Sequence, residues 1–249
     1  MKRCPNCNSV LEERNERLYC PFCETYFSSP KESPKPSPVP APSKNDDGKL
    51  TAHEIWERCR DGVLRLSSAH KSGSGFLIDE TKRYALTNTH VITGEKGKYP
   101  ATSGYVNVDD EREIPYTVKK YNERLGSFEN DIALLQLKEI VSPMKALPLA
   151  KNLPQVGEDV FSIGNPLDRG VSLSKGIISR YVTDSNNQVI LFLSDVAVNS
   201  GSSGSPLSND RGEVVGICVS SARGSDGSAT EGMHYFIPIQ RALKYVGIK

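Results

Sequence analysis

The sequence lacks a long hydrophobic run and lacks an excess of charge of either sign. No stretch approaches the roughly 18 apolar residues of a membrane-spanning helix, and the opening "MKRCPNC" is followed by polar residues instead of the apolar core of a secretory signal. The 31 lysines and arginines balance 30 aspartates and glutamates, which argues against a protein that mainly coats nucleic acid or an anionic membrane. We therefore expect a cytoplasmic protein without a membrane partner.

Cysteines are few, and four of the six form a metal-ligand pattern. Cys4, Cys7, Cys20 and Cys23 are spaced C-x2-C-x12-C-x2-C, so that two tight turns can each offer two sulfurs to one ion. A redox pair or two disulfides is the alternative interpretation, which the absence of an export signal disfavours. The spacing predicts one structural Zn²⁺ within residues 1–27, with no open coordination position for catalysis.

This segment resembles the zinc ribbons, whose turns read CPxCG. Asn8 and Glu24 stand where that family has glycine, and because Glu enters the left-handed region reluctantly, we expect slight strain at the second turn. Residues 1–29 carry four basic and four acidic side chains, which is not the charge pattern of a nucleic-acid reader. Protein recognition or tethering is the role that we expect for the ribbon.

Proline is concentrated immediately after the ribbon. Six of the sixteen prolines fall between Ser28 and Gly48, among residues that offer little to bury. The composition predicts an extended, disordered linker over residues 28–49. At about 3.1 Å per residue, the linker could reach on the order of 60 Å, so we expect the ribbon to be tethered instead of docked.

Long helical patterns are lacking in residues 50–249. The segment opens with the short helical pattern "TAHEIWERCR" and closes with "IQRALKYV". Between them lie short strand-like runs: "GVLRLSS", "GSGFLID", "YALTNTHVI", "DIALLQL", "DVFSIG", "VILFLSDVAV", "EVVGICVSS" and "MHYFIPI". Strands without intervening helices predict an all-β barrel or sandwich, in which Cys59 and Cys218 are expected to be core residues.

Only four histidines are available as a general base. His53 falls in the first helix, His70 in a polar loop and His234 beside the last strand, whereas His90 comes at the end of the apolar run "YALTNTHVI". Asp131 directly precedes the apolar run "IALLQL". A buried structural histidine and a turn aspartate are the ordinary interpretation; a base with its orienting carboxylate is the functional one.

The stretch "NSGSSGSPL", residues 199–207, offers the third element of a catalytic site. Taken alone, its serines and glycines indicate a surface loop. The order His90, Asp131, Ser203 is, however, the chain order of a chymotrypsin-type triad, and not the order of subtilisins or α/β-hydrolases. An activated serine nucleophile is the function that this order predicts.

Together these motifs resemble the HtrA/Deg branch of the trypsin-like serine proteases, over nearly all of residues 50–249. The segments that carry the resemblance are "SGSGFLID", "YALTNTHVI", "NDIALLQL", "SIGNPL", "SKGIIS", "SDVAVNSGSSGSPL", "GEVVGICVSS" and "MHYFIPI". The resemblance implies a chymotrypsin-like double β-barrel of two perpendicular six-stranded barrels, with short N- and C-terminal helices. His90 and Asp131 would come from the first barrel and Ser203 from the second.

The resemblance also implies a set of binding residues. The oxyanion hole would use the backbone amides of Gly201, Ser202 and Ser203. The substrate-binding residues would be Ala197 at the base of the pocket for the residue before the scissile bond, with Val219, Ser220, Ser221 and His234 beside it. Because no acidic residue stands at the base, we expect small or medium apolar side chains there, and not Arg or Lys.

Departures from the family pattern N-P-G-N-S-G-G-P-L occur at three serines. Ser200 and Ser202 replace residues that usually contribute backbone, and Ser205 adds a side chain where the family has glycine. Ser202 also stands where proteolytically activated relatives have an aspartate that receives a new N-terminal ammonium. We therefore expect the uncut chain to be active.

Three alternative functions compete with this one. An α/β-hydrolase built on Ser203, Asp226 and His234 is disfavoured, because "GSSGS" lacks the last glycine of G-x-S-x-G and strand–helix alternation is absent. A ribbon that reads nucleic acid is disfavoured by its charge. A catalytically silent scaffold that binds peptides or partner proteins stays open, and an active-site label would distinguish it from the enzyme.

The resemblance leaves some properties open. HtrA relatives often carry PDZ domains after the protease, and since the sequence stops at Lys249 we expect none here. Protein or peptide substrates are expected, and the oligomeric state, including a homo-oligomer, stays undecided.

Overall fold

The computed structural model describes residues 10, 12–14, 17–21, 24–28, 48–68, 71–93, 103–107, 112–122, 128–165, 170–223 and 229–248. The chain divides into two compact units, Met1–Lys44 and Asn45–Lys249. Most of the predicted linker lies outside the described residues.

The described part of the first unit is a three-stranded antiparallel sheet. Its strands are β1 (Glu12–Arg14), β2 (Arg17–Cys20) and β3 (Thr25–Ser28), in that order. Glu24 lies in the turn between β2 and β3 and has a φ of 53°. The left-handed backbone expected at the second cysteine turn is therefore present, on a residue that adopts it at some cost. Cys4, Cys7 and Cys23 lie outside the described residues, so zinc binding stays a prediction.

The second unit begins and ends with a short helix, as the sequence predicts. Helix α1 (Ala52–Cys59) is started by a capping box, in which the Thr51 hydroxyl accepts from Glu54 N at 3.3 Å while the Glu54 carboxylate accepts from Thr51 N at 2.8 Å. Helix α2 (Ile239–Val246) ends at Gly247, whose φ of 79° closes the last turn. No helix in the described part of the chain has the length and hydropathy needed to cross a membrane.

The first closed barrel follows α1. Its strands are β4 (Val63–Ser68), β5 (Lys71–Asp79), β6 (Tyr84–Thr87), β7 (Ser103–Asn107), β8 (Glu113–Tyr121) and β9 (Ala133–Leu137). All pairs are antiparallel, in the order β4-β5-β6-β9-β8-β7. The residues that fill the interior include Leu64, Leu77, Val106 and Ile114, which lie on four different strands.

The second closed barrel repeats this arrangement. Its strands are β10 (Asp159–Gly164), β11 (Ser172–Thr183), β12 (Val189–Ser194), β13 (Pro206–Asn209), β14 (Val214–Arg223) and β15 (Ala229–Pro238). The order β10-β11-β12-β15-β14-β13 has the same sequence of first, second, third, sixth, fifth and fourth strand. The predicted all-β double barrel with two terminal helices is confirmed.

A continuous apolar core joins the two barrels and both helices. It contains Ile55 of α1, Phe76 of the first barrel, Phe161 and Ile237 of the second barrel, and Ala242 of α2, all of them buried. Since apolar burial stabilises by about 25 cal/mol per Å², this shared core holds the barrels as one body.

Candidate active site

His90 enters the site on a tight turn instead of a strand. Strand β6 ends at Thr87, and a 3₁₀ helix over Thr89–Val91 follows, so the predicted position of His90 at the end of a strand is corrected by a few residues. The Thr93 hydroxyl donates to the His90 carbonyl at 2.8 Å and closes this turn.

Asp131 holds His90 at two points. One carboxylate oxygen accepts from the backbone N–H of His90 at 3.0 Å, and the other contacts the ring atom Nδ1. The Asp131 side chain is 13% exposed and that of His90 is 39% exposed. The carboxylate therefore fixes the orientation of the ring from the buried side, with Nδ1 engaged and Nε2 turned away from Asp131.

Hydrogen bonds from buried polar side chains fix the main chain at Asp131. The Asn88 amide donates to the Asp131 carbonyl at 2.7 Å, and the Thr89 hydroxyl donates to the Ile132 carbonyl at 2.9 Å. Asn88 and Thr89 are at most 1% exposed. The residues before His90 and those after Asp131 are thus joined side by side, which keeps the two catalytic candidates in register.

Helix α2 braces the same turn from outside the barrel. Arg241 donates through Nε to the Glu129 carbonyl at 2.8 Å and through Nη2 to the Asn130 side chain at 2.8 Å. These two acceptors lie in the 3₁₀ helix Phe128–Asn130 immediately before Asp131. These two hydrogen bonds give the C-terminal helix a role in the site that its sequence pattern did not indicate.

Ser203 lies on a turn that closes on itself. Ser202 N donates to the Asn199 carbonyl at 2.9 Å, and Asn199 N donates to the Ser202 hydroxyl at 3.2 Å. The Ser202 amide is therefore already used inside the turn, and its predicted contribution to the oxyanion hole stays a prediction.

Gly201 and Ser203 retain amides for an oxyanion. Gly201 has a φ of 92°, which glycine adopts without the penalty of a side chain. Among the described residues, neither the Gly201 amide nor the Ser203 amide donates to a protein acceptor. These two N–H groups are free of described acceptors, and their predicted role in binding an oxyanion stays a prediction.

The Ser203 hydroxyl is directed at strand β14. Its Oγ donates to the Val219 carbonyl at 3.4 Å, which is at the long end of the hydrogen-bond range. A hydrogen bond of this length is weak, so the hydroxyl can leave the Val219 carbonyl at little cost.

The predicted substrate-binding residues lie in two places. Ala197 lines a polar cleft, where its carbonyl accepts from the Ser174 hydroxyl at 2.7 Å. That cleft is lined by Ser162, Gly164, Ser172, Ser174, Ala197, Asn199 and Ser202. Val219, Ser220 and Ser221 belong to β14 and His234 belongs to β15, which are other strands of the same barrel. The role of Ala197 as a pocket base stays a prediction.

His234 is a buried histidine on β15. It pairs with Ser194 of β12 and Ser221 of β14 and is 7% exposed. Burial lowers the pKa of His234 because the charged imidazolium loses its hydration. The folded protein therefore favours the neutral ring.

A pH-dependent stability follows from this burial. Because the folded pKa is lowered, the unfolded state binds the proton more readily, so the contribution of His234 is complete above the unfolded pKa of about 6.5 and declines as the pH falls through it. We expect His234→Gln to flatten the fall in unfolding free energy between about pH 7.5 and pH 5, by at most about 1.4 kcal/mol per pH unit.

Urea unfolding at several pH values measures this difference, with both proteins carrying Ser203→Ala to prevent self-digestion. The variant His53→Gln, on the exposed part of α1, controls for loss of a histidine as such. Parallel stability curves for the proteins with and without the His234→Gln substitution would contradict the prediction.

The two remaining cysteines are core residues, as predicted. Cys59 and Cys218 are at most 2% exposed. Cys59 Sγ donates to the Gly212 carbonyl at 3.5 Å, and burial raises the pKa of the Cys218 thiol to about 12. Neither thiol is activated as a nucleophile. His70 and Asp226 lie outside the described residues.

Comparison with known families agrees with this geometry. A family model described as a trypsin-like peptidase domain matches residues 73–217, which is more than half of the chain and includes His90, Asp131 and Ser203. The chain belongs to the trypsin-like peptidase family. The predicted HtrA/Deg-like, trypsin-fold serine-peptidase domain is thereby confirmed at the level of family and fold.

Individual relatives match the peptidase domain over part of their own length. A probable periplasmic DegP-like serine endoprotease of Hahella chejuensis is 36% identical over 178 residues, which are 70% of this chain and 34% of the relative. A probable periplasmic do/HhoA-like serine protease of Haemophilus influenzae is 33% identical over 178 residues, which are 70% of this chain and 35% of the relative. The chain thus spans about a third of these relatives.

A solved structure supports the same family. The crystal structure of a serine endoprotease from Yersinia pestis superposes with a TM-score of 0.61 and 27% identity, over 78% of this chain and 65% of that one. The match covers more of this chain than the 70% aligned with either curated relative.

The predicted cytoplasmic location is wrong by this comparison. The relatives from Hahella chejuensis and Haemophilus influenzae are both named as periplasmic proteases. The prediction rested on the polar residues after "MKRCPNC" and on the lack of a long apolar run, and neither observation reports directly on a compartment.

Proposed function

We propose that this trypsin-like peptidase-family protein is a serine endopeptidase that hydrolyses protein or peptide substrates through His90, Asp131 and Ser203. The observation that carries the proposal is the double contact of the Asp131 carboxylate with the main chain and ring of His90. A carboxylate in that position fixes the imidazole tautomer that a general base requires. The curated relatives that this chain matches over about a third of their length are named as serine proteases, which supports the same chemistry.

Acylation begins when the Ser203 hydroxyl leaves the Val219 carbonyl and turns to His90. His90 Nε2 accepts the proton as Ser203 Oγ attacks the carbonyl carbon of the scissile peptide bond. The positive charge that forms on the ring is stabilised by Asp131. His90 then gives the proton to the departing amine, which leaves Ser203 esterified.

Charge develops on the substrate carbonyl oxygen during the attack. The amides of Gly201 and Ser203 are the donors that this oxygen meets, and removal of one such donor typically costs about 10²–10³ in kcat. Water then attacks the ester with His90 again as base, and the acid product leaves. The second step uses the same groups in the reverse direction.

The proposed substrate preference rests on Ala197, the residue predicted at the base of the pocket. Ala197 supplies no carboxylate, so an Arg or Lys side chain has no partner for its charge there. We propose that small or medium apolar residues are preferred before the scissile bond. A digest of a peptide library, with bonds identified by mass spectrometry, tests this preference; cleavage mainly after Arg or Lys would contradict it.

We propose that the uncut chain is active, without a new N-terminus made by proteolysis, because of the turn at Ser202. Its side chain is 5% exposed and accepts from the Asn199 amide at 3.2 Å, while its own amide binds the Asn199 carbonyl. The turn before the nucleophile is therefore closed by its own atoms. It offers no carboxylate to an incoming ammonium.

A zinc ribbon in residues 1–27 is the second part of the proposal. The four cysteines are the donor set that closes a tetrahedral zinc site, and β2 with β3 supplies the antiparallel strands on either side of the second cysteine turn. Bound zinc would hold the two cysteine turns together. With four thiolates on the ion, no position is left for a reacting water, so the ribbon is proposed to recruit or tether.

We expect loss of the ribbon to spare the chemistry. Replacing Cys4 and Cys7 with Ser in the full chain, or removing residues 1–48, should leave hydrolysis of a short peptide within about twofold, because the triad lies in the other compact unit. Turnover of a folded protein substrate is the activity that should fall. The zinc content of wild type and variant, measured with a chromogenic chelator, shows whether the ion was lost.

The outcome that contradicts the tethering role is equally clear. A truncated chain that no longer cleaves the short peptide, although its circular dichroism retains the β spectrum, would make the ribbon an activating element. A gel shift with tight binding at low salt would revive nucleic-acid recognition.

The proposed activity is tested by peptide hydrolysis with Ser203→Ala as the matched control. Cleavage by wild type alone supports the enzyme. Binding of peptides without cleavage, by both proteins equally, would favour the catalytically silent scaffold instead.

A further inference from the structure

Ser74 belongs to the first barrel, yet its hydrogen bonds reach the nucleophile turn of the second. It lies in β5 and is fully buried. Its backbone N–H donates to the Ser203 carbonyl at 2.8 Å, and its hydroxyl donates to the Gly201 carbonyl at 2.8 Å. The same hydroxyl accepts from Asn165 N at 3.0 Å. One side chain therefore joins β5, the residue after β10 and the turn that carries Ser203.

These bonds complete the set of acceptors around Ser203. The carbonyl of Gly201 binds the Ser74 hydroxyl, that of Ser202 binds Ser205 N at 2.9 Å, and that of Ser203 binds Ser74 N. Because a trans peptide points its C=O and N–H in opposite directions, the Ser202 carbonyl fixes the direction of the Ser203 amide. Ser74 holds the peptide planes on either side of it.

The main chain of Ser74 packs closely against the turn at Gly204. Gly204 has a φ of 84°, and a Cβ added there would lie 2.1 Å from the Ser74 carbonyl oxygen. That oxygen also accepts from the Thr87 hydroxyl at 2.7 Å, which fixes Ser74 to β6. The turn therefore packs against β5, which is itself held in place by hydrogen bonds to β6.

We propose that Ser74 is a positioning residue for the reaction: its hydroxyl locks the Gly201–Ser202 peptide and so aligns the amides that receive the oxyanion. This inference rests on the proposed peptidase function. Glycine at position 201 makes the backbone there free to rotate, and the Ser74 hydroxyl is the group that removes this freedom. The hydroxyl reaches the substrate only through the turn, so its loss affects the transition state more than substrate binding.

The experiment compares Ser74→Ala with wild type in peptide hydrolysis. Since loss of a whole oxyanion donor costs about 10²–10³, loosening of its support should lower kcat by about 10–100-fold and change KM by less than about threefold. Ser208→Ala is the matched control, because Ser208 is 1% exposed and its hydroxyl contacts the sulfur of Cys59, away from the turn.

The outcomes separate positioning from a general structural role. A selective fall in kcat for Ser74→Ala, with thermal stability lowered no more than in Ser208→Ala, supports the inference. An unchanged kcat, or equal losses in the two variants, overturns it. Where Ser74→Ala does not fold, Ser74→Cys fills the same volume with a weak donor; its kcat should also fall, and a wild-type kcat would overturn the inference. A wild-type protein that cleaves nothing would instead overturn the proposed function.

Discussion

Ser203→Ala should abolish peptide hydrolysis, with a fall in kcat on the order of 10⁶. The alanine removes Ser203 Oγ, the proposed nucleophile, which lies on the glycine turn of the second barrel. The measurement is the initial rate of peptide cleavage by wild type and variant at equal concentrations of folded protein.

The neighbouring hydroxyls provide the controls for this result. Ser202→Ala removes a hydroxyl that accepts from Asn199 N at 3.2 Å, and Ser205→Ala removes a buried one that shares a 3.2 Å hydrogen bond with Ser162. Both bonds are structural, so these variants should keep at least about a tenth of the activity. Near-normal activity in Ser203→Ala, or complete loss in Ser205→Ala with Ser203 intact, would move the nucleophile elsewhere.

Asp131→Asn should lower kcat by about 10⁴ while leaving the fold intact. The amide is nearly isosteric, but its NH₂ group can donate to Nδ1 of His90 and so favours the tautomer that carries its proton on Nε2. A ring in that tautomer cannot accept the proton of Ser203. The effect should appear in kcat much more than in KM, as stopped assays over a range of substrate concentrations would show.

An aspartate elsewhere in the same barrels gives the matched control. Asp184 accepts from Asn186 N at 2.9 Å and from Gln188 N at 3.0 Å in an exposed hairpin turn of the second barrel. Asp184→Asn makes the same chemical change without touching His90 and should cost less than about twofold in kcat. If Asp131→Asn kept most of the activity, the orienting role of the carboxylate would have to be abandoned.

Helices and the most apolar strands could be predicted from the sequence alone. The run "IQRALKYV" is helix α2, Ile239–Val246, and "DVFSIG" is β10, Asp159–Gly164. In such segments the local pattern and the tertiary contacts demand the same structure, because one face is buried against the shared core. The boundaries were least reliable where a catalytic residue lies: the run that predicts a strand up to His90 ends in a 3₁₀ turn.

Several strands had no clear local signal. Strand β8, Glu113–Tyr121, buries alternate residues but includes Pro115 and two lysines, and β13, Pro206–Asn209, is only four residues long. Strand β8 pairs with β7 and β9, its neighbours in the chain, whereas β13 pairs with the next strand β14 and with the distant β10. Pairing partners of this kind are not written in the strand's own composition.

The sequence predicted the reactive residues of the candidate site, but it did not predict the residues that position them. His90, Asp131 and Ser203 stand out because few residue types can serve as the general base, the orienting carboxylate or the nucleophile. Ser74 and Arg241 each make two side-chain hydrogen bonds to residues distant in the chain. A serine between glycines or an arginine in a polar helix face has no local sign of this. The use of the Ser202 amide inside the turn was likewise visible only in the structure.

Reaction with a fluorophosphonate tests the central claim most directly, because the reagent bonds only to a serine whose hydroxyl is activated by a neighbouring base. The native full chain should be labelled once, and peptide mapping should place the adduct on Ser203, with the rate strongly reduced in His90→Ala. An unlabelled protein, or an adduct on Ser202 or Ser205 instead, would contradict the account of a His90–Asp131–Ser203 peptidase.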